Sequence, residues 1–471
     1  MKHKWLGWIL SAVSCTFMCS PTAVAQTKTF AVADVLLNVE IISAQTHLKS
    51  PSESTLAPIS LGVKPHARLL WLPSEYGILP QERALAKQLS AFGIESWFVD
   101  VYDGLFLAPT ATAVDEVPTE WISQLIDFAA NVDSNTESDT ESRLDSKNHF
   151  KNQQASFKNA GDHLQTSRVP LWIIAPNKAA QLAVRGLVDF QQTSRNQIGL
   201  ILLNPNLYLN TPKPGEEAQY WSQVSALNLP VSILQAEQSP WRWRVMSLAE
   251  ALQSSGSDVF VQLQKQARDR FYFRADALPE EREITADLAD TIRSMMRMQL
   301  PYLTQSRQAG LLTLAKPNQV ESTRSAELQV FNGEQGRLLQ LENLQGDKVA
   351  LSDYNGQVVL LNFWASWCPP CVHEMPSMAR LKTQLKDQPF EILAVNLAEP
   401  KSAIQAFTKA HPVNFPILLD PAGSAVKSWQ VFAYPSTYLI DKQGQIRYAL
   451  FGGTEWDAVH HVDKVNALLA E

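Results

Sequence analysis

Short apolar runs alternate with amphipathic stretches along most of this chain. Ala67-Arg68-Leu69-Leu70-Trp71-Leu72 reads as a strand, and Pro80 to Phe92 follows as a helix with Leu85, Leu89 and Phe92 on one face. Trp97 to Val101, Val169 to Ala175, Gly199 to Leu203 and Pro230 to Gln235 repeat the apolar theme, with helical stretches between them. Strands spaced by helices predict a parallel sheet covered on both faces. The pattern stops over 131–168, where a Ser/Thr/Asp/Glu run precedes a Lys/Asn/Gln-rich one. Too little apolar surface is present there to offset the entropy of ordering, so a disordered insertion is predicted. This first α/β domain spans 28–307, and the aperiodic stretch 308–326 reads as a linker.

A second domain is predicted over 327–471. A hairpin-like lead-in from Leu328 to Asp353 precedes the apolar run Val358 to Trp364. Helix Cys371 to Lys386, strand Glu391 to Leu397, helix Lys401 to Ala410 and strands Thr437 to Ile440 and Gln445 to Leu450 follow. Trp456, Val459, Val462, Val465 and Leu468 mark one face of a closing helix, Glu455 to Leu469.

With 471 residues, the chain exceeds what one ordinary core accommodates, which agrees with this division. A formal net charge of −7 argues against nucleic acid or an anionic membrane surface as the main partner. Residues 1–25 read as a signal peptide: Lys2 and Lys4 lead, Trp5 to Met18 is apolar but short for a bilayer, and Ala23-Val24-Ala25 is a small-x-small cleavage site. A periplasmic location follows; the alternative is an uncleaved signal anchoring the chain to the inner membrane. Cleavage removes Cys15 and Cys19 and leaves Cys368 and Cys371 as the remaining pair. A structural bridge closing so small a loop stabilises little, so the pair reads as reactive.

Cys368 and Cys371 flank Pro369-Pro370 directly after a buried-strand pattern. That layout delivers a dithiol to a helix N-terminus, whose free N–H groups and dipole favour a thiolate. Cys368 is expected to be the exposed nucleophile and Cys371, one turn along, the more buried resolving thiol. Zinc normally takes four ligands, and this pair offers two, with His373 too near in sequence to complete a tetrahedron easily. No metal or other cofactor is therefore expected.

Phe363 to Cys371 resembles the thioredoxin fold and, within it, the TlpA/ResA-like exported thiol–disulfide oxidoreductases. Pro376 falls where the first active-site helix of that fold carries its kinking proline, and Tyr434-Pro435-Ser436-Thr437 matches the loop holding its cis-proline. Glu374 stands at the position of an acid typical of this branch, while Asn362 replaces the buried Asp of thioredoxin itself. The resemblance implies Cys368 and Cys371 as a catalytic redox disulfide, supported by Trp367, Pro369, Pro370, Glu374, Tyr434 and Pro435. Glu374 would then take the proton role that Asn362 cannot. It also implies protein thiol or disulfide substrates and a membrane-bound electron donor. With no His between the cysteines, the couple is expected nearer roughly −200 to −270 mV than the roughly −120 mV of the strong oxidant.

The first domain resembles an α/β-hydrolase more faintly. Pro176-Asn177-Lys178-Ala179-Ala180 stands where a G-x-S-x-G elbow would, with Asn177 in the nucleophile's place. Glu237 falls early for the triad acid, and Ala267-Arg268-Asp269-Arg270-Phe271 offers no His where the base belongs. Ser74 and Ser239 have no evident partner. The expected role is non-catalytic, such as binding a protein partner. Two alternatives stay open: a binding protein with a regulatory redox domain, and a hydrolase with an unrecognised site.

Overall fold

Strand-forming runs of Leu, Ile, Val and Trp build two eight-stranded sheets. The computed structural model describes residues 25–32, 35–45, 65–132, 169–193, 198–209, 219–303, 305, 307–311, 327–397 and 399–471. The signal segment up to residue 24, most of the predicted insertion (133–168) and most of the predicted linker (312–326) lie outside them.

The first sheet contains β1 (Ala25–Val32), β2 (Val35–Ile42), β3 (Ala67–Trp71), β4 (Ile94–Val99), β5 (Leu171–Pro176), β6 (Ile198–Leu203), β7 (Val231–Gln238) and β8 (Val259–Arg268). Its spatial order is β1-β2-β4-β3-β5-β6-β7-β8. β2 runs antiparallel to both its neighbours, and β4 onward is parallel. Every residue of β3, β5 and β6 is buried because helices cover both faces. Leu85 and Leu89 of the Pro80–Ser90 helix pack with Ile292 and Met295 of the Leu288–Gln299 helix on one face. Ile122 and Leu125 of Thr119–Asn131 pack with Ala183 and Leu187 of Ala179–Thr193 on the other.

The second sheet contains β9 (Gln329–Val330), β10 (Gln340–Asn343), β11 (Lys348–Ala350), β12 (Val358–Trp364), β13 (Phe390–Leu397), β14 (Ile417–Asp420), β15 (Ser436–Ile440) and β16 (Ile446–Phe451). Its order is β11-β10-β14-β13-β12-β15-β16-β9. β12 lies at the centre, parallel to β13 and antiparallel to β15, with all its residues buried. The helix after β12 spans Pro369–Gln384, two residues earlier than the apolar pattern suggests. Proline suits the first helical position because its missing N–H is not needed there.

Two readings of the pattern need correction. The closing helix is Val459–Ala470, and Val459 is exposed while His461, Val462, Val465 and Leu468 are buried. Steps of three lag the helical period by about 60° each, so five such residues cannot share one face. Trp456 is buried ahead of the helix, held by contacts to the Pro369–Gln384 helix instead. In addition, β14 and the Ser424–Ser428 helix occupy a stretch where no element was predicted. Among the described residues, no helix is long and apolar enough to cross a membrane.

Candidate redox-active site

The site forms where β12 hands over to the Pro369–Gln384 helix. Cys368 is the residue capping that helix, and its N–H donates to Ala365 O at 3.2 Å, closing the turn that follows the strand. Pro369 and Pro370 occupy the first turn, exposed to solvent. Cys371 comes next and is joined to Cys368 as a disulfide, with Cα atoms 5.3 Å apart. Cys368 is 6% exposed and Cys371 0%, so both residues are buried in the disulfide form. The expectation of an exposed Cys368 is corrected to this extent: in the disulfide form it packs into an apolar cluster with Trp367 and Tyr434. Those two rings meet edge to face, 5.8 Å between centroids. On another side the chain comes close at Gly453, where a Cβ would stand 3.1 Å from Pro370 O.

Glu374 lies three residues after Cys371, on the same helical face. It is buried, not solvent-facing. Asn362 Nδ2 donates to its Oε1 at 2.8 Å, while Trp456 Nε1 (3.1 Å) and the Thr454 N–H (3.3 Å) donate to Oε2. Donors favour a carboxylate, yet desolvation outweighs them and pushes the acid from 4.5 up to about 8. Asn362 also donates to Thr437 Oγ1 at 2.9 Å, which ties β12 to β15 beneath the dithiol. Pro376 sits inside the helix, and the next residue, Ser377, accepts the Trp456 N–H at 2.9 Å. The Tyr434–Pro435 bond is cis. Thus Cys368, Cys371, Trp367, Glu374, Tyr434 and Pro435 are all gathered at this end of the sheet.

Sequence reasoning missed Glu399. Its carboxylate accepts the Ser366 N–H at 2.7 Å, the Ser366 hydroxyl, and Asn396 Nδ2 at 2.8 Å. It thereby clamps the loop that leads into Trp367 and Cys368. The available signal was topological: loops after adjacent parallel strands such as β12 and β13 emerge at one sheet edge. Thr454 and His461 were missed as well; Thr454 Oγ1 lies 3.1 Å from His461 Nε2. Burial, with His460 and Lys464 nearby, lowers His461 to about 4. His373 is exposed and 3.9 Å from Glu455.

In the first unit, Asn177 follows β5 at the tip of a turn with φ 49°, a left-handed conformation. The Lys178 N–H beside it donates to Glu75 Oε2 at 3.0 Å. Burial raises Glu75, and it raises Asp269, near Arg270, to about 6. Ser74 and Ser239 are turn formers: their hydroxyls accept the N–H groups of Tyr76 (3.2 Å) and Trp241 (3.3 Å). Glu237 accepts from the Gln266 N–H at 3.1 Å and lies 3.8 Å from Arg242. His66 is the histidine among this unit's described residues, and it precedes β3, at the sheet edge opposite Asn177.

Comparison with known proteins bears on the second unit. Residues 333–449 match the AhpC/TSA family. The thiol-disulfide oxidoreductase ResA of Geobacillus kaustophilus is 40% identical over 126 residues, which cover 26% of this chain and 72% of that protein. ResA of Bacillus subtilis is 38% identical over 120 residues, covering 26% and 67%. Among solved structures, the exposed lipoprotein thioredoxin of Streptococcus pneumoniae is 28% identical, covers 28% of this chain and 99% of that one, and has a TM-score of 0.26.

Proposed function

As the chain belongs, through its last third, to the ResA-like thiol–disulfide oxidoreductases, we propose that it acts after export as a reductant of protein disulfides, with Cys368 and Cys371 as its working dithiol. The observation that carries this reading is the pairing of a helix-capping Cys368 with an acid near 8, Glu374, buried one turn beyond Cys371.

In the reduced protein the Cys368 thiolate attacks one sulfur of a substrate disulfide. A mixed disulfide forms, and the first substrate sulfur leaves as a thiolate that takes a proton from water. The Cys371 thiol then yields its proton to ionised Glu374 and attacks Cys368 Sγ. The mixed disulfide breaks, the second substrate thiolate departs, and Cys368 and Cys371 are left as the disulfide. Two electrons have passed to the substrate, so an external donor, taken to be membrane-bound, must restore the dithiol. Helix N–H groups and the dipole stabilise the Cys368 thiolate.

The first unit is read as a non-catalytic relative of the α/β-hydrolases, joined to the redox unit. Its strand order, with β2 antiparallel, and the left-handed Asn177 at the elbow support this. Glu75 supports it further, because it takes up the Lys178 N–H, the donor that such an elbow would offer to an oxyanion.

A Cys371→Ala chain tests the main reading. It should retain substrates as mixed disulfides on Cys368, identifiable by mass spectrometry of cell-envelope extracts. Recovery of no covalent partner, with Cys368 inert to alkylation in the reduced protein, would sink it.

A further inference from the structure

One short segment of the first unit reaches the redox site. After β7, Ser239 starts the 3-10 turn Pro240–Arg244, which is partly open to solvent. Trp243 and Arg244 of this turn lie on the 431–435 loop of the second unit. The Trp243 indole covers Gly423 so closely that a Cβ there would sit 2.1 Å from its Cζ2. Trp243 and Tyr434 pack against the same apolar cluster of the second unit. The Arg244 guanidinium stands 4.0 Å over the Phe432 ring. Tyr208, from the loop after β6, is edge-on to both Phe432 and Trp241, each at 6.3 Å. Tyr434 in turn is edge-on to Trp367, the neighbour of Cys368. Trp243 thus packs in the cluster that holds Tyr434, whose ring reaches Trp367, the residue beside the dithiol.

We infer that the first unit is a built-in part of the substrate-docking site of the dithiol, with Trp243 the residue that positions the 431–435 loop. The Trp241–Arg244 strip extends the wall of that site beyond the redox unit. Its indoles and guanidinium groups fit an extended polypeptide segment around a disulfide, since aromatic and arginine side chains anchor peptide partners. A small disulfide spans only the sulfurs and does not reach the strip. This inference rests on the reductant reading above and names where its protein substrates lie.

The test is steady-state reduction of insulin and of hydroxyethyl disulfide by the full chain, with a small dithiol as electron source and its direct reaction subtracted. Trp243→Ala should lower the ratio of insulin to small-disulfide kcat/KM by about 3- to 10-fold, as loss of one aromatic anchor does. The loss should appear in KM, and Trp243→Phe should recover most of it. If Trp243→Ala fails to fold, Arg244→Ala should lower the same ratio by a smaller factor. A ratio unchanged in both alanine variants overturns the inference, and so does a rise, which would make the strip a lid. If the wild-type chain reduces neither disulfide, the reductant reading fails first; if it reduces both and the ratio is insensitive to the strip, only the docking inference fails.

Discussion

Glu374→Gln removes an ionisable group buried one turn from Cys371. Desolvation holds the acid at about 8, so at pH 7 about a tenth of it is ionised and at pH 8 half. A resolving step limited by proton removal from Cys371 should therefore quicken about fivefold across that unit and level off beyond about pH 9. Glutamine cannot accept the proton. The variant should lose this limb and resolve mixed disulfides about 100-fold more slowly at the plateau, the low end of what a positioned base contributes. The assay is release of a peptide thiol from a preformed Cys368–peptide disulfide, followed from pH 6 to 9. An unchanged inflection near pH 8 in Glu374→Gln would refute the assignment.

The same substitution has a stability signature of definite sign. The acid titrates at 4.5 when free and at about 8 when folded, so between those values the unfolded chain binds fewer protons. Wild-type stability accordingly falls as pH rises through this window, by at most about 5 kcal/mol, with no loss below it. Glutamine carries no such slope. Its amide would, however, turn a donor toward the Trp456 and Thr454 N–H groups, at about 1–3 kcal/mol. Glu374→Gln should then be the less stable protein at pH 5 and the gap should close or invert by pH 8.5. Parallel denaturation midpoints of the two chains across that range would contradict the burial argument.

Further outcomes follow from single contacts. Glu399→Gln replaces an oxygen that receives donors from Ser366 or Asn396 and should destabilise the redox unit by about 1.5–3 kcal/mol, read as a lowered thermal midpoint; an unchanged midpoint would show that Glu399 is no clamp. His461, lowered from 6.5 to about 4, binds its proton more readily when unfolded, so stability should drop as pH falls through that interval, and His461→Asn should flatten the drop in acid denaturation. Asn177→Ser should yield no p-nitrophenyl acetate hydrolysis above the wild-type chain, because Glu75 holds the Lys178 N–H; measurable turnover would revive a hydrolase. Arg68→Met removes the guanidinium between Glu95 and Val132 O and leaves Glu95, 13% exposed, without that cation; a loss of about 3 kcal/mol is expected in chemical denaturation, and no loss would mean the pair is replaceable.

What could be read from the sequence follows from which signals are local. β3, β5, β6 and β12 are buried on both faces, so each appears as an uninterrupted apolar run. The dithiol turn is written within four residues, and the acid lies one turn beyond. β1, the edge strand of a hairpin, is mostly exposed and has no apolar run to mark it, whereas β2 carries a legible apolar pattern, Val35-Leu36-Leu37-Asn38-Val39-Glu40-Ile41-Ile42. β14 is only four residues long and gives a periodicity argument too little to count. Glu399 acts on Ser366 from 33 residues away, and Trp456 on Glu374 from 82, separations over which no spacing rule operates. The setting of Glu374 could not be read from its position on the helix, since the residues that bond it come from 362, 454 and 456.

The two units bring different chemistry to their sheet edges. In the first, the Lys178 N–H after β5 is taken by the chain's own Glu75, and Asn177 at the tip of the turn carries an amide. The segment after β7 carries Trp243 and Arg244, packed on Gly423 and Phe432 of the other unit. In the second, the edge above β12 and β13 retains a dithiol, a buried acid near 8 and a clamped turn. A reacting sulfur must be reachable and its acid must be dry; Glu374 is 1% exposed, while Cys368, within two helical turns of it, packs in the disulfide form with Trp367 and Tyr434. Any further control over which disulfides reach Cys368 has to come from outside those turns. Trp243 and Tyr434, packed against one apolar cluster, and the Tyr434–Trp367 ring contact connect them to the first unit.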